Sequence, residues 1–159
     1  MLVLVINSGS SSLKYQLREL ADDGTDAPVP VLAQGLVERI GVPGSGVPDH
    51  AAALEQVEAE LAEATGGRTI DAAGHRVVHG GERFTAPARV TNEVIRAIER
   101  LAPLAPLHNP AAAQGLRAMA ERWPDMPQVV VFDTSFHQTM PREAWQYALP
   151  DEVLSLIHI

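Results

Sequence analysis

Cysteine is absent from the 159 residues, which excludes disulfide bonds and thiolate metal sites and suits a cytoplasmic protein. Positive charge is also scarce: the formal net charge is −8, so we expect no nonspecific binding to nucleic acid. No apolar run reaches the length of a membrane span. The apolar residues 2–6 lack the preceding basic residues of a signal peptide. These absences favour a cytoplasmic protein with no membrane or nucleic-acid partner.

The composition is otherwise that of a globular protein, with 46% hydrophobic and 20% charged residues. A chain of 159 residues is long enough to bury the core of one domain. Despite the acidic total, three cations in polar segments are candidates to hold a small anion: Lys14, Arg76 and Arg83.

A turn rich in hydroxyl groups follows the first predicted strand. Residues 2–6 are apolar and residues 13–20 alternate in polarity, so both segments are predicted as strands. Between them lie Asn7, Ser8 and what we call the serine turn, which consists of Gly9, Ser10, Ser11 and Ser12. Together with Lys14, the hydroxyl and backbone N–H groups of this segment offer what a bound phosphate needs. Serine and glycine are also ordinary turn residues, so a plain hairpin is an equal alternative.

The remaining pattern predicts alternating strands and helices. Residues 21–28 form a long turn after the second strand. The later strands are predicted at 29–40, 73–79 and 128–132. Three helices alternate with them: one capped by Asp49 that ends near Ala64, one capped by Thr91, and one capped by Asn109 that ends near Trp123. The order βββ-α-β-α-β predicts an α/β fold of the ribonuclease H-like or actin-like ATPase class. Its mixed sheet has helices on its faces. In that architecture the first hairpin is the phosphate loop.

Polar residues cluster at the ends of the later elements. Arg76 and Val78 share one side of a strand. A guanidinium in this position is suited to bind a carboxylate or phosphate through two hydrogen bonds, with the valine as an apolar surface beside it. His108 lies at the start of a helix, a position that favours anions. Asp133 directly follows a buried strand, where α/β proteins gather their ligands. A surface ion pair for Arg76, a loop-orienting role for His108 and a turn carboxylate for Asp133 are the structural alternatives.

Two other kinds of site are less favoured. A zinc site would draw on histidines and one carboxylate, namely His75, His79, His108, Asp133 and His137. However, a strand places His75 and His79 about 13 Å apart, which is too far for one ion. No serine lies on a Gly-x-Ser-x-Gly elbow, and the serine turn does not have the spacing of a P-loop.

Taken together, four blocks resemble the acetokinase family of the actin-like ATPase superfamily. The blocks are residues 5–14, 74–81, 104–110 and 131–137. They occur in the family's order and at spacings that the family uses. The resemblance implies transfer of the γ-phosphoryl group of ATP to acetate, which gives acetyl phosphate and ADP with Mg²⁺, or Mn²⁺, as the cofactor. Propionate is a further substrate that the resemblance allows.

The resemblance also implies roles for individual residues. Toward ATP, it implies that Asn7 binds Mg²⁺, that Lys14 contacts the ATP phosphates, and that the phosphate loop is lined by Ser10, Ser11 and Ser12. Toward acetate, it implies that Arg76 binds the carboxylate or the phosphoryl group in transfer and that the methyl group lies in a pocket formed by Val78 and Leu107. His108 would approach the phosphoryl group, and Asp133 would occupy the position of the proton donor or acceptor. Acetate is already ionised near neutral pH, so its attack on phosphorus needs no general base. Asp133 is therefore better interpreted as a residue that orients Arg76 or a metal-bound water.

The resemblance covers residues 1–150 as an N-terminal lobe, whereas residues 151–159 depart from the family. Family members are more than twice as long, and their second lobe supplies the adenosine pocket and the homodimer interface. We therefore expect no measurable kinase activity from these 159 residues alone. The alternative functions are a catalytically dead module that binds phosphate or nucleotide and, less favoured, a zinc hydrolase.

Overall fold

The computed structural model describes residues 1–21, 29–150 and 153. The predicted turn at 21–28 and the predicted departure of residues 151–159 from the family lie largely outside the described residues. Within the described part of the chain, no helix is long and apolar enough to cross a membrane.

Six strands form one mixed sheet in the order β3-β2-β1-β4-β6-β5. The central strands β1, β4 and β6 are parallel, while β2, β3 and β5 run antiparallel to their neighbours. The elements are β1 Leu2–Ser8, β2 Ser12–Glu19, β3 Val31–Glu38, α1 His50–Thr65, β4 Ala72–Val77, β5 Ala88–Arg89, α2 Asn92–Arg100, α3 Asn109–Arg122, β6 Gln128–Phe132, a 3₁₀ turn Asp133–His137 and α4 Arg142–Trp145. The predicted α/β class and mixed sheet are confirmed, and the two-residue strand β5 is an addition.

The first two helices begin at the predicted caps. Asp49 accepts a hydrogen bond from the Ala52 amide at the start of α1, and Thr91 accepts one from the Val94 amide at the start of α2. Gly66, in the left-handed conformation with φ of 59°, ends α1. These local signals need no tertiary contact, which explains why the sequence predicts them well.

The hydrophobic core lies on one face of the sheet. Leu4 and Ile6 of β1 are fully buried there against Leu54 of α1 and Met119 of α3, and α2 packs beside α3 over Phe132. We predicted helices on the faces of the sheet, but α1, α2 and α3 all pack on this one face. Side chains of the opposite face, which we call the open face, remain accessible, with Val5 at 39% and Val131 at 46% exposure.

Candidate functional site

The alternation of β1 and its neighbours separates core residues from site residues. Ile6 faces the core, so Asn7 lies on the open face, where it is directly opposite Lys14 in the β1–β2 ladder. In the β1–β4 ladder Ile6 is opposite His75, which is buried, so Arg76 also lies on the open face. The sheet thus places an amide and two cations side by side at one end of three adjacent strands.

The serine turn connects β1 and β2 beside these groups. The Gly9 amide donates to the Ser12 carbonyl at 2.7 Å, which closes the turn, and the Ile40 amide donates to the Ser11 carbonyl at 3.0 Å. The turn is therefore held both internally and by the segment that follows β3.

A cavity of about 180 Å³ unites most of the predicted site residues. It is lined by Asn7, Ser8, Gly9, Ser12, Lys14, Arg76, Val78, His108 and Ala112. A neighbouring depression of about 550 Å³ shares Gly9, Ser12 and His108 with the cavity and adds Ser10, Ser11 and Leu107. Leu107 is 79% exposed at this position. Three segments that are distant in the sequence therefore converge on a single polar recess.

Asp133 joins the site through Arg76. The Arg76 Nε atom donates to Asp133 Oδ1 at 2.9 Å, and Arg76 Nη2 donates to Asp133 Oδ2 at 2.6 Å. Donation of these hydrogen bonds to the Asp133 carboxylate raises the pKa of the Arg76 guanidinium above its ordinary value. About half of each side chain remains exposed, at 51% and 41%. Exposed ion pairs contribute little to stability, so the main effect of this two-point contact is to orient the guanidinium.

Asn109 has a different role from the predicted one. We predicted that it caps α3, but the cap position belongs to His108, which makes no capping hydrogen bond, and Asn109 is the first helical residue. Its fully buried side chain accepts from the His79 amide at 3.3 Å and donates to the His79 carbonyl at 2.9 Å. Asn109 thus joins the start of α3 to the segment after β4, which fixes His108 relative to Val78. A long-range backbone contact of this kind leaves no local signal.

The histidines are not arranged for zinc. His75 is buried on the core side of β4, where its Nε2 lies 3.0 Å from Gln128 Oε1, and burial lowers its pKa to about 4. His79 lies beyond the end of β4, and its Nδ1 accepts from the Gly81 amide at 2.9 Å. Among the described residues, no three histidine or carboxylate side chains are grouped to hold a metal ion. The zinc alternative is therefore wrong for this part of the chain.

Magnesium places a different demand on the site. Mg²⁺ prefers oxygen ligands, keeps several waters, and is commonly bound through one or two protein groups together with substrate phosphates. The cavity offers the Asn7 carboxamide and the Ser12 hydroxyl, both oxygen donors, beside a recess with room for an anion. This donor set fits Mg²⁺ and does not resemble a complete protein cage.

Sequence reasoning missed three residues around the serine turn. Ala112 lines the cavity together with Ser8, while His50 and Gly115 pack behind it. A Cβ atom at position 115 would lie 2.6 Å from Ser8 Cβ, so only glycine allows α3 to approach β1 this closely. The sequence held one clue, because a glycine inside a predicted helix often marks a close packing contact.

The sheet order, the core on one face and the polar recess at the strand ends define an α/β protein of the ribonuclease H-like, actin-like fold. The model of the acetokinase family matches residues 2–159. The chain therefore belongs to the acetokinase family.

Individual relatives agree with this assignment. The acetate kinase of Micrococcus luteus is 88% identical over 153 residues, which cover 96% of this chain and 39% of that protein. The crystal structure of Porphyromonas gingivalis acetate kinase superposes with a TM-score of 0.81 at 41% identity, covering 98% of this chain and 43% of that one. A propionate kinase from Francisella tularensis gives a TM-score of 0.77 at 34% identity, covering 96% and 42%. The chain thus spans about two fifths of the length of these relatives.

Proposed function

We propose that the chain forms the phosphoryl- and carboxylate-binding lobe of an acetate kinase, which transfers the γ-phosphoryl group of ATP reversibly to acetate and yields acetyl phosphate and ADP. The observation that carries this proposal is the convergence of Asn7, Lys14, Arg76 and His108 on one cavity. Family membership and the 88% identity to the Micrococcus luteus acetate kinase support the same reaction.

The chemical task is to bring two anions together. Acetate and the γ-phosphate both carry negative charge, so the enzyme must neutralise charge and hold the reacting oxygen in line with phosphorus. Lys14 and Arg76 supply two positive charges at the cavity, and the serine turn adds hydroxyl and backbone N–H donors. His108, which lines the same cavity, adds a ring N–H. Each of these groups stabilises charge that is concentrated in the transition state.

Arg76 is the proposed ligand of the acetate carboxylate or of the phosphoryl group in transfer. Asp133 occupies Nε and Nη2, and this leaves Nη1 of the guanidinium free of any protein acceptor among the described residues. Acetate is ionised at neutral pH and attacks without losing a proton. We therefore assign Asp133 to orienting Arg76 and do not assign it proton transfer.

The acyl group would lie against Val78 in the cavity and against Leu107 in the adjoining depression. Leu107 is largely exposed, so this wall is open and does not form a tight methyl pocket in the described residues. One additional methylene changes apolar binding by only about 1–3 kcal/mol. Propionate is therefore a proposed second substrate.

Asn7 and Ser12 would hold Mg²⁺, with Mn²⁺ as a substitute, through their oxygen atoms. When bound, the ion would neutralise charge on the phosphate oxygens. The reaction consumes ATP, so we place the protein in the cytoplasm. Family resemblance further implies that proteins of full family length form homodimers.

A chimera tests this proposal directly. The 153 aligned residues of this chain replace the matching segment of the Micrococcus luteus acetate kinase, which supplies the rest of the family length. We expect the chimera to form acetyl phosphate only when acetate, ATP and Mg²⁺ are all present. A folded chimera that binds MgATP by calorimetry but forms no acetyl phosphate would instead support a binding module without catalysis.

A further inference from the structure

We propose that His50 is a positioning residue that holds the serine turn in its anion-binding shape. His50 is the first residue of α1, is only 6% exposed, and its Nε2 lies 2.9 Å from the Gly9 carbonyl oxygen. A carbonyl oxygen only accepts hydrogen bonds, so Nε2 carries a proton and donates. The contact spans 41 positions in the sequence and links the first helix to the serine turn.

This hydrogen bond completes a pattern in the turn. The carbonyl groups of Gly9, Ser11 and Ser12 accept from His50, from the Ile40 amide and from the Gly9 amide, respectively. The amides of Ser10 and Ser11 donate to no protein group in the described part of the chain. With three carbonyls turned toward protein donors, the turn leaves these amides for an anion, which is how backbone N–H groups form phosphate-binding concavities.

Close packing keeps the imidazole in place. A Cβ atom at Gly115 of α3 would lie 3.9 Å from His50 Cδ2 and 2.6 Å from Ser8 Cβ. His50 therefore lies where α1, α3 and the end of β1 meet, behind the wall of the cavity. It does not line that cavity, so any effect on the reaction passes through the serine turn.

The inference rests on the proposed function, because the serine turn matters to activity only if it holds a phosphate group. The expected kinetic signature follows from the contacts. Loss of the His50 donor should raise KM for ATP and lower kcat, while KM for acetate, whose proposed ligands Arg76 and Val78 make no contact with His50, should be unchanged.

The first test uses this chain and needs no catalysis. His50→Leu removes the donor at similar volume, whereas His50→Gln retains an N–H donor. Two amides hydrogen-bond to the turn: Gly9 donates to the Ser12 carbonyl and Ile40 donates to the Ser11 carbonyl. Their hydrogen exchange, measured by NMR, should accelerate about tenfold in the leucine variant and much less in the glutamine variant. Asp49→Ala is the matched control: it removes the cap of the same helix without touching Gly9. Equal acceleration in all three variants would show general loosening of α1 and overturn the proposal.

The second test places the same variants in the chimera. We expect His50→Leu to lower kcat/KM for ATP about tenfold, with KM for acetate unchanged and with substantial recovery in His50→Gln. Unchanged kinetics in an active His50→Leu chimera would overturn the positioning role. An inactive unsubstituted chimera would count against the proposed function instead, and the exchange measurement would then decide the role of His50 alone.

Discussion

Arg76 and Asp133 form a two-point contact between the end of β4 and the residue that follows β6. Their four donor and acceptor atoms pair as Nε with Oδ1 at 2.9 Å and Nη2 with Oδ2 at 2.6 Å. A planar guanidinium held at two points cannot rotate, so the direction of Nη1 is fixed before any ligand arrives. This preorganisation is the basis of the first two predictions, both made for the chimera.

Asp133→Asn should lower kcat by about tenfold or more, because the variant keeps the size of the side chain but loses the charge that fixes Arg76. Steady-state rates between pH 6 and 9 provide the measurement. We expect the pH profiles of variant and parent to be parallel, since Asp133 is assigned no proton transfer. A limb of the parent profile that disappears in Asp133→Asn would show instead that Asp133 acts as an acid or base.

Arg76→Ala should raise KM for acetate and lower kcat, because it removes a proposed ligand of the carboxylate and a charge near the transferred group. Arg76→Lys is the informative partner variant. It keeps the charge but not the two-point geometry, so we expect only partial recovery. If kcat/KM for acetate is the same in Arg76→Ala and the parent, Arg76 lies outside the acetate site.

His75 should make the fold sensitive to mild acid. Burial lowers its folded pKa to about 4, against an ordinary value of 6.5 in the unfolded chain. Between these two pH values the unfolded state binds a proton at His75 that the folded state does not bind. The free energy of unfolding therefore falls as the pH falls through this range, whereas above about pH 6.5 His75 has no effect on it. The full effect of His75 is roughly 3 kcal/mol.

Urea unfolding at several pH values between 4 and 8 measures this dependence. In His75→Leu the fall in unfolding free energy toward pH 4 should be shallower by the His75 contribution. His137→Gln, which alters an exposed histidine, should keep the dependence of the parent. Identical slopes for His75→Leu and the parent would mean that His75 is not the responsible group.

Asn109→Ala should destabilise the fold by about 1–3 kcal/mol, because it leaves the His79 amide and carbonyl without their partner in a buried region. Asn92→Ala serves as the matched control, since Asn92 is the first residue of α2 but is exposed. The free energy of unfolding from urea titration gives the comparison. Equal losses in the two variants would assign the effect to helix initiation and not to the His79 contact.

Local signals explain why much of the fold is predictable from the sequence. Alternation in β1, the Asp49 and Thr91 caps and the β-branched run of β6 each act within a few residues. Strand ends were less accurate, because a predicted strand at 29–40 is trimmed to Val31–Glu38 by its pairing with β2.

The candidate site also combines residues that the sequence predicts with contacts that it does not predict. Its cavity-lining residues stand in motifs, so their convergence could be anticipated. The supporting contacts of His50, Asn109 and Gly115 join segments tens of residues apart and depend on how α1 and α3 pack. No pattern within one segment encodes such contacts, and for that reason they were missed or, for Asn109, assigned the wrong role.

Side chains of β1 alternate between the core and the opposite face of the sheet, so a deletion of one codon in this strand affects the core and the candidate site together. Even positions such as Leu4 and Ile6 build the core, and Asn7 faces the cavity. Deleting one codon within residues 2–6 would shift the rest of β1 by one position, which turns Ile6 away from the core and Asn7 away from the cavity in a single event. The same deletion in the exposed loop at 41–46 would disturb neither set. Tolerance to insertion and deletion should therefore change abruptly between these two segments of the same chain.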